Sequence, residues 1–421
     1  MYSERYLSYL GQLETDFTKL ARLEFLNPDG GVAFALDNQV QNRRAKAFIQ
    51  NGDISVNLQN GRRRQANVTL ANLNGEYDYA IDKVWFGQEI RLSEGLVLPD
   101  GTDFYIPQGI FLVENPEEAL EPGRKEATFQ LSDKWVALDG TLGGNLEGAY
   151  GVAAGTNILY AISAILRLDR YTMANDGAHP IDRIAPLLTN YYNSKTQTLT
   201  NGETVSLIQA PYDYLSAEEG DIGEVILGLC EMIAAWVGYN AQGRLTVDPS
   251  QDDILDTGKP VLWEFTPQKK QLISILTAPK PTEVFNDIIV VGATNNQSRT
   301  ARGRAQNRDI SSDTCISRIG LKTKRIPMKD YYSDQMCLDY AQWQLKRMAV
   351  MSNTITLNTT QMFHIEENRI ITVRRDDKPG SPTERHLVQG FTRPLSQTGT
   401  MTINAVSVND FPTATAVQDN E

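Results

Sequence analysis

The sequence predicts a mainly β, α+β protein in which two β-barrel or sandwich domains flank a helical region. Three observations carry that prediction. Short runs alternate apolar and polar residues between Gly- and Pro-rich turns, two capped helical segments occupy the middle third, and β character returns after residue 251. Length sets the scale, because 421 residues exceed one ordinary core. The predicted division is a lead-in helix over 1–24, a β domain over 25–139, a helix-containing domain over 140–250, a second β domain with one helix over 251–412, and a flexible tail over 413–421.

Taken in order, Tyr6, Leu7, Leu10, Leu13, Phe17, Leu20 and Leu23 stand at near-helical spacing, and Asn27-Pro28-Asp29-Gly30-Gly31 is a turn. Ile54, Val56 and Leu58 then share one face of a strand, with Asp53, Ser55 and Asn57 on the other. After Gln59-Asn60-Gly61, Val68 and Leu70 resume the alternation against Asn67 and Thr69, which predicts a hairpin with one buried face. Further strands are predicted at Val84–Leu92, Asp103–Glu114 and Ala127–Leu131, separated by the turn sequences Pro99-Asp100-Gly101 and Glu121-Pro122-Gly123.

In the middle third, Thr156 is the predicted N-cap of a helix carrying Ile158, Leu159, Ile162, Ile165 and Leu166. Ser216-Ala-Glu-Glu219 has capping-box form and opens a second helix, predicted to run through Trp236 and Val237 to Gly238. Tyr239 to Val247 reads as a turn returning into a strand. Beyond it, Ile288–Val291, Thr354–Leu357, Ile370–Val373, His386–Phe391 and Met401–Val408 are predicted strands, with a helix over Ser333–Met348. Asn295–Asp309, polar and Arg-rich, is predicted to be an exposed, mobile loop.

Composition narrows the function. Apolar residues make up 41% and charged residues 22%, as in a folded globular chain, and no stretch reaches the ~18 apolar residues of a membrane-spanning helix. The N-terminus lacks the apolar core of a secretion signal, so synthesis in a cytoplasm is expected. Cys230, Cys315 and Cys337 lack the spacing of a zinc site or a disulfide framework. A net charge of −12 opposes tight binding of nucleic acid and suits a surface that DNA passes without sticking.

No catalytic constellation emerges, and no enzyme, cofactor or metal is expected. The three histidines, His179, His364 and His386, form no paired motif, and Gly140-Thr-Leu-Gly-Gly144 lacks the Lys-Ser/Thr of a phosphate cradle. The doublets Glu117-Glu118, Glu218-Glu219, Asp252-Asp253, Glu366-Glu367 and Asp376-Asp377 read as solvated turns or caps, although counting alone leaves a glycosidase pair open. Tyr77, Tyr79, Trp85 and Phe86 suggest core or interface packing, with a sugar-binding groove through Trp85 or Trp263 as the other reading. The basic residues Arg43, Arg44, Lys46, Arg62, Arg63 and Arg64 flank the first hairpin and are expected to dock an acidic neighbour.

One set of motifs goes beyond composition. Arg63-Arg64-Gln-Ala-Asn-Val-Thr-Leu-Ala-Asn-Leu-Asn-Gly75 is followed by Trp85-Phe86-Gly87-Gln-Glu-Ile-Arg91 and Pro107-Gln-Gly-Ile-Phe-Leu-Val113. Together they resemble the first β domain of bacteriophage tail-hub and baseplate-hub proteins. Lys134-Trp-Val-Ala-Leu-Asp139, Trp236 to Val247 and Glu283 to Gly292 continue the likeness in order, over most of residues 25–410.

The resemblance implies a homotrimer, each subunit giving two tube-like β domains to a pseudo-sixfold ring. Such a ring joins a hexameric tail tube or distal tail protein above to a threefold spike, tip or fibre protein below. DNA passes through it without specific binding, and the chain resides in the virion tail tip or baseplate without inserting into a membrane. A hub of this kind is expected to dock through sheet edges or loops near Ile54–Leu70 and Thr400–Val408. Because the chain stops shortly after Phe411-Pro412, a separate spike or fibre protein is expected. A carbohydrate-binding adhesin and a cell-wall glycosidase are the competing functions.

Overall fold

A computed structural model describes residues 4–12, 17–27, 30–38, 49–80, 83–167, 196–198, 203–233, 235–249, 259–266, 271–279, 281–294, 298–328, 331, 333–349, 353–374, 383–396, 398–408 and 413–417. Helix α1 (Glu4–Gln12) precedes β1 (Lys19–Leu26), β2 (Val32–Asp37), β3 (Ile49–Asn57), β4 (Arg64–Ala71), β5 (Ile90–Val97), β6 (Asp103–Glu121) and β7 (Arg124–Asp133). The middle of the chain holds β8 (Gly151–Val152), α2 (Ile158–Leu166), β9 (Thr196–Thr198), β10 (Thr204–Ser206), β11 (Tyr214–Leu215), α3 (Ile222–Met232), β12 (Ala235–Tyr239) and β13 (Leu245–Pro249). There follow β14 (Val261–Phe265), β15 (Leu272–Pro279), β16 (Asp287–Thr294), β17 (Thr300–Asn307), α4 (Ile316–Ile319), β18 (Thr323–Pro327) and α5 (Asp334–Met348). The chain ends with β19 (Asn353–Thr359), β20 (Ile370–Val373), β21 (Glu384–Pro394), β22 (Met401–Ser407) and β23 (Ala414–Ala416).

The fold is mixed α+β, but the two β-rich segments do not form separate barrels or sandwiches. Thirteen strands make one open sheet in the order β15-β19-β22-β21-β3-β4-β7-β6-β5-β1-β2, with β20 added along β21 and β14 along β20. The expectation of two tube-like β domains is corrected by the junction between β3 and β21, where Ile54 stands opposite Arg393 and Val56 opposite Phe391. Since β21 occupies the free edge of β3, the first set of strands cannot close on itself.

One apolar cluster lies behind both halves. It holds Val68 and Phe129 from the first, Phe391 and Ile403 from the second, and Tyr6 and Leu10 from α1. Alternation in the sequence fixes which residues share a face; it does not fix which strand takes each edge. The same order corrects the expected edges. β3, β4 and β22 are interior strands, and the path ends on β2 and β15.

A second cluster holds the middle of the chain, where α2, α3 and the β12–β13 hairpin pack together. Asn157 caps α2 by accepting from Tyr160 N at 3.1 Å, one residue after the predicted cap. Asp221, not Ser216, caps α3, accepting from Glu224 N at 2.7 Å. The Ser216 hydroxyl instead accepts from Tyr150 N at 2.9 Å. The helix stops at Met232, and Trp236–Tyr239 lies in β12, where its β-branched and aromatic residues pair with β13.

A third cluster joins the small sheet β18-β16-β17-β23 to α5. Ser333 caps α5 as predicted, accepting from Met336 N at 3.1 Å. The predicted mobile loop is corrected here, because Thr300–Asn307 is strand β17. Ala301, Gly303 and Ala305 turn toward α5, and a Cβ on Gly303 would stand 2.1 Å from Leu338 N. The small residues permit that close approach, while arginines fill the alternate positions. Asn295 to Gln297 lie outside the described residues. Ala414–Ala416, placed by sequence in the flexible tail, pairs with β17.

Candidate functional site

The large sheet has one apolar face and one polar face, and the polar face is the candidate functional surface. Ile54, Val56, Ala66, Val68 and Leu70 point into the core from β3 and β4, as do Ile355, Leu357, Ile403 and Ala405 from β19 and β22. The intervening positions face outward and are polar: Ser274, Thr356, Asn358, Thr402, Asn404, Thr392, Ser55, Asn67, Thr69, Thr128, Gln130 and Asn115.

These side chains bond to one another across the strands. Asn358 Nδ2 donates to Ser274 Oγ at 2.9 Å, Thr402 Oγ1 to Asn358 Oδ1 at 3.2 Å and Thr356 Oγ1 to Asn404 Oδ1 at 3.0 Å. Thr392 Oγ1 reaches Ser55 Oγ at 3.5 Å across the β3–β21 junction, and Asn67 Nδ2 reaches Asp53 Oδ1 at 3.3 Å. Thr69 and Thr128 are 3.1 Å apart, and Asn115 Nδ2 donates to Gln130 Oε1 at 2.6 Å. The result is a polar belt, mostly hydroxyls and amides, over eight strands from β15 to β6, with the carboxylates of Asp53, Glu117 and Glu126 on the same face and Leu276 exposed at its β15 end. Groups already bonded to each other bind a passing solute weakly, and neutral ones neither attract nor repel phosphate at long range. The alternation of Asp53, Ser55 and Asn57 was visible in sequence. The continuation of the polar face through β19, β21 and β22 was not, because it depends on the β3–β21 pairing.

Arg43 and Arg44, with Lys46, lie outside the described residues. Arg62 is half-buried and ion-paired with Glu114 at 2.9 Å and Asp139 at 3.0 Å. Burial alone would lower its pKa, but Asp139 and Glu114 raise it. Arg63 is buried, its backbone N–H donating to Asp133 Oδ2 at 2.9 Å and its Nε to Gln59 O at 2.8 Å. Arg64 is buried as well. Its Nη2 meets Glu367 Oε2 at 2.5 Å, and its Nη1 donates to Gln108 O at 2.8 Å. The triplet thus ties the sheet to the middle of the chain, through Tyr239 O, Thr246 and Asp139.

His364 and His386 are both buried. His364 is buried beside Tyr6, with Tyr6 Oη 3.2 Å from Nδ1, and burial followed by the Arg393 charge lowers its pKa to about 3. His386 is buried on β21, and burial lowers its pKa against the pull of Glu384. His179 lies outside the described residues, as do Asp252-Asp253 and Asp376-Asp377. Of the remaining doublets, Glu367 is committed to Arg64 and Glu366 to Arg369 at 3.4 Å. Glu117 and Glu118 take opposite faces of β6, with Glu118 Oε1 accepting from Tyr79 N at 3.2 Å. Trp263 packs in the core, whereas Trp85 and Phe86 are exposed. Among the described residues no group of three or more His, Cys, Asp or Glu is placed to hold a metal ion.

No family model matches the sequence, and no curated protein matches it. Among solved structures the chain is similar to the tail protein from Neisseria meningitidis MC58, at 10% identity over 94% of this chain and 98% of that one, with a TM-score of 0.57. It is similar also to the 43 kDa tail protein of prophage MuSo2 from Shewanella oneidensis (11% identity, 92% and 98% covered, TM-score 0.54). Prophage tail protein gp18 from Listeria monocytogenes EGD-e gives 9% identity, 94% and 95% covered, and a TM-score of 0.51. At such identities the likeness is one of fold. The chain shares the overall fold of these tail proteins along almost its whole length.

Proposed function

We propose that the chain is a structural hub subunit at the tail tip or baseplate of a phage or phage-tail-like particle, working as a homotrimer without catalytic turnover. The polar belt carries this reading. A continuous face of mutually bonded polar side chains, with carboxylates that repel phosphate, suits a passage that a polyanion crosses without being held. The fold likeness to tail proteins supports the same role.

Closure of the ring comes from the two ends of the sheet. Among the described strands β2 and β15 each have one paired edge, and both expose large apolar side chains, Val32 and Phe34 on β2, Ile273 and Leu276 on β15. Open, apolar strand edges invite pairing with another chain. Three copies set end to end, β2 of one beside β15 of the next, close with the polar face inward. Each copy then gives two sheet halves, and the six segments match a hexameric tail tube or distal tail protein above. A spike, tip or fibre protein binds the threefold underside. A docking contribution from the basic triplet runs through Arg62, since Arg63 and Arg64 face inward.

Native mass measurement of the purified chain, with imaging of the particles, tests the proposal. A trimer with a central opening is the expected result. A chain that stays monomeric at every concentration, alone and with its tail partners, would refute it.

A further inference from the structure

Charge is unevenly divided along the chain. Between Val284 and Ala349 the sequence holds eleven Lys and Arg against six Asp and no Glu, a net charge of +5. The whole chain is −12, so the remainder carries −17. The basic stretch is the one that folds as the small sheet β18-β16-β17-β23 backed by α5.

Only one face of that sheet is given to the helix. Ile288, Val290, Ala301 and Ala305 turn toward α5, so Ile289, Val291, Arg302, Arg304 and Arg325 lie on the other face. Arg304 is matched there by Asp287, with Nε 2.8 Å from Oδ1. Arg308, just past the end of β17, and Arg325 are exposed. The segment linking β17 to β18 exposes Ile310, Ile319 and Leu321 at the Asp287 end of the sheet. The surface is basic with an apolar rim.

We propose that this face receives the β6–β7 arm of a second copy of the chain, an inference that rests on the homotrimer reading. β5 pairs with β6 only as far as Phe111, so over Leu112–Glu121 β7 is the one strand paired with β6 among the described residues, with Tyr79 N reaching Glu118 from the side. That arm exposes Glu117, Glu118 and Glu121, and Leu120 near its tip is 80% exposed. Glu117 and Glu121 stand on one side of the arm and Leu120 on the other, so the carboxylates meet the arginines of the face while Leu120, at the tip, reaches past the arm's edge to the Ile310, Ile319 and Leu321 rim. Matching potentials of this kind fix register and partner choice. The contact joins two different patches, as a cyclic trimer requires, because each copy then offers one arm and one face.

Self-association of the full chain, followed by sedimentation velocity at roughly physiological salt, is the test. Two double variants carry it, Arg308→Glu with Arg325→Glu on the face, and Glu117→Arg with Glu121→Arg on the arm. Each is expected to weaken trimer formation by at least about tenfold, with the melting temperature of the monomer unchanged. Combined in one chain, they restore association to within about threefold of the unaltered protein. A trimer that neither double variant weakens, or weakening that the combined variant does not reverse, overturns the arm-to-face contact and leaves the trimer standing. So does loss of duplex DNA binding in the face variant with the trimer intact. An unaltered chain that is monomeric throughout overturns both readings.

Discussion

Arg393 on β21 donates through Nε to Glu94 Oε2 on β5 at 2.9 Å, and both side chains are completely shielded from solvent. Lys19 Nζ approaches Glu94 Oε1 at 2.9 Å from β1. Arg393 Nη1 also donates to Met362 O at 2.6 Å, and Nη2 to Gln108 Oε1 at 2.7 Å. One carboxylate therefore balances two buried cations drawn from both halves of the sheet. Burial pushes the Glu94 carboxyl up, but Arg393 and Lys19 outweigh it and hold it below the usual range. That stabilisation is present above the unfolded pKa and is lost as pH falls through the folded one.

Glu94→Gln leaves two cations facing a neutral amide and is expected to cost about 3–5 kcal/mol. Urea denaturation of the variant beside the parent measures it. A loss under about 1 kcal/mol would show that carbonyls and Gln108 suffice for the cations.

Arg64→Ala makes a similar test of the basic triplet. The guanidinium is buried against Glu367 and Gln108 O, so its removal strands a buried carboxylate and costs about 3–5 kcal/mol. Arg62→Ala, at a half-exposed pair, is expected to cost about 1 kcal/mol or less. Equal melting temperatures for the two variants would contradict the inward role of Arg64.

These arginines also mark how far the sequence could be read. Strand alternation from Asp53 to Leu58 was plain in the primary structure, because a half-buried strand writes its period into residue type. Arg63 and Arg64 looked like surface charge, since nothing local announces that Asp133 and Glu367, distant along the chain, will meet them. The same holds for the β3–β21 pairing, a contact between segments more than 300 residues apart. In β17 the signal was present but masked. Thr-Ala-Arg-Gly-Arg-Ala-Gln alternates small residues with arginine, and small residues carry too little apolar weight to read as a core face.

Gly303→Val tests that reading of β17. The added side chain has to displace the backbone of α5 at Cys337 and Leu338, which a Cβ would meet at 2.3 and 2.1 Å. Overpacking of this kind costs about 1–3 kcal/mol and more where backbone must move. Hydrogen exchange should show faster opening in β16, β17 and α5, with the large sheet little changed, since the two belong to separate cores. Unchanged protection in α5 would mean that the helix does not depend on this approach.

His364 gives the chain an acid-sensitive core. Tyr6, Trp263 and Arg393 surround the ring, and burial with the Arg393 charge lowers its pKa from 6.5 to about 3. The ring stays neutral in the folded state while the unfolded chain takes up a proton below pH 6.5. Stability is therefore full above pH 6.5 and falls as pH drops toward 3, by about 2 kcal/mol at pH 5. His364→Phe is expected to flatten that part of the pH–stability curve. An equal slope in parent and variant would assign the acid sensitivity to other groups.

The belt makes its prediction through charge. Asn67→Lys and Asn404→Lys each place a cation on the outward face at positions whose side chains are exposed, so folding and trimer formation are expected to change little. Each added cation near the path of DNA can take up a phosphate and release a counterion, which strengthens retention and steepens its salt dependence. In particles carrying both substitutions, DNA ejection is expected to slow at low salt and to recover as salt is raised. Asn404→Asp, of similar size and opposite charge, should not slow it in this way. If the Lys pair leaves ejection untouched at every salt concentration in particles that assemble normally, the polar face does not line the passage.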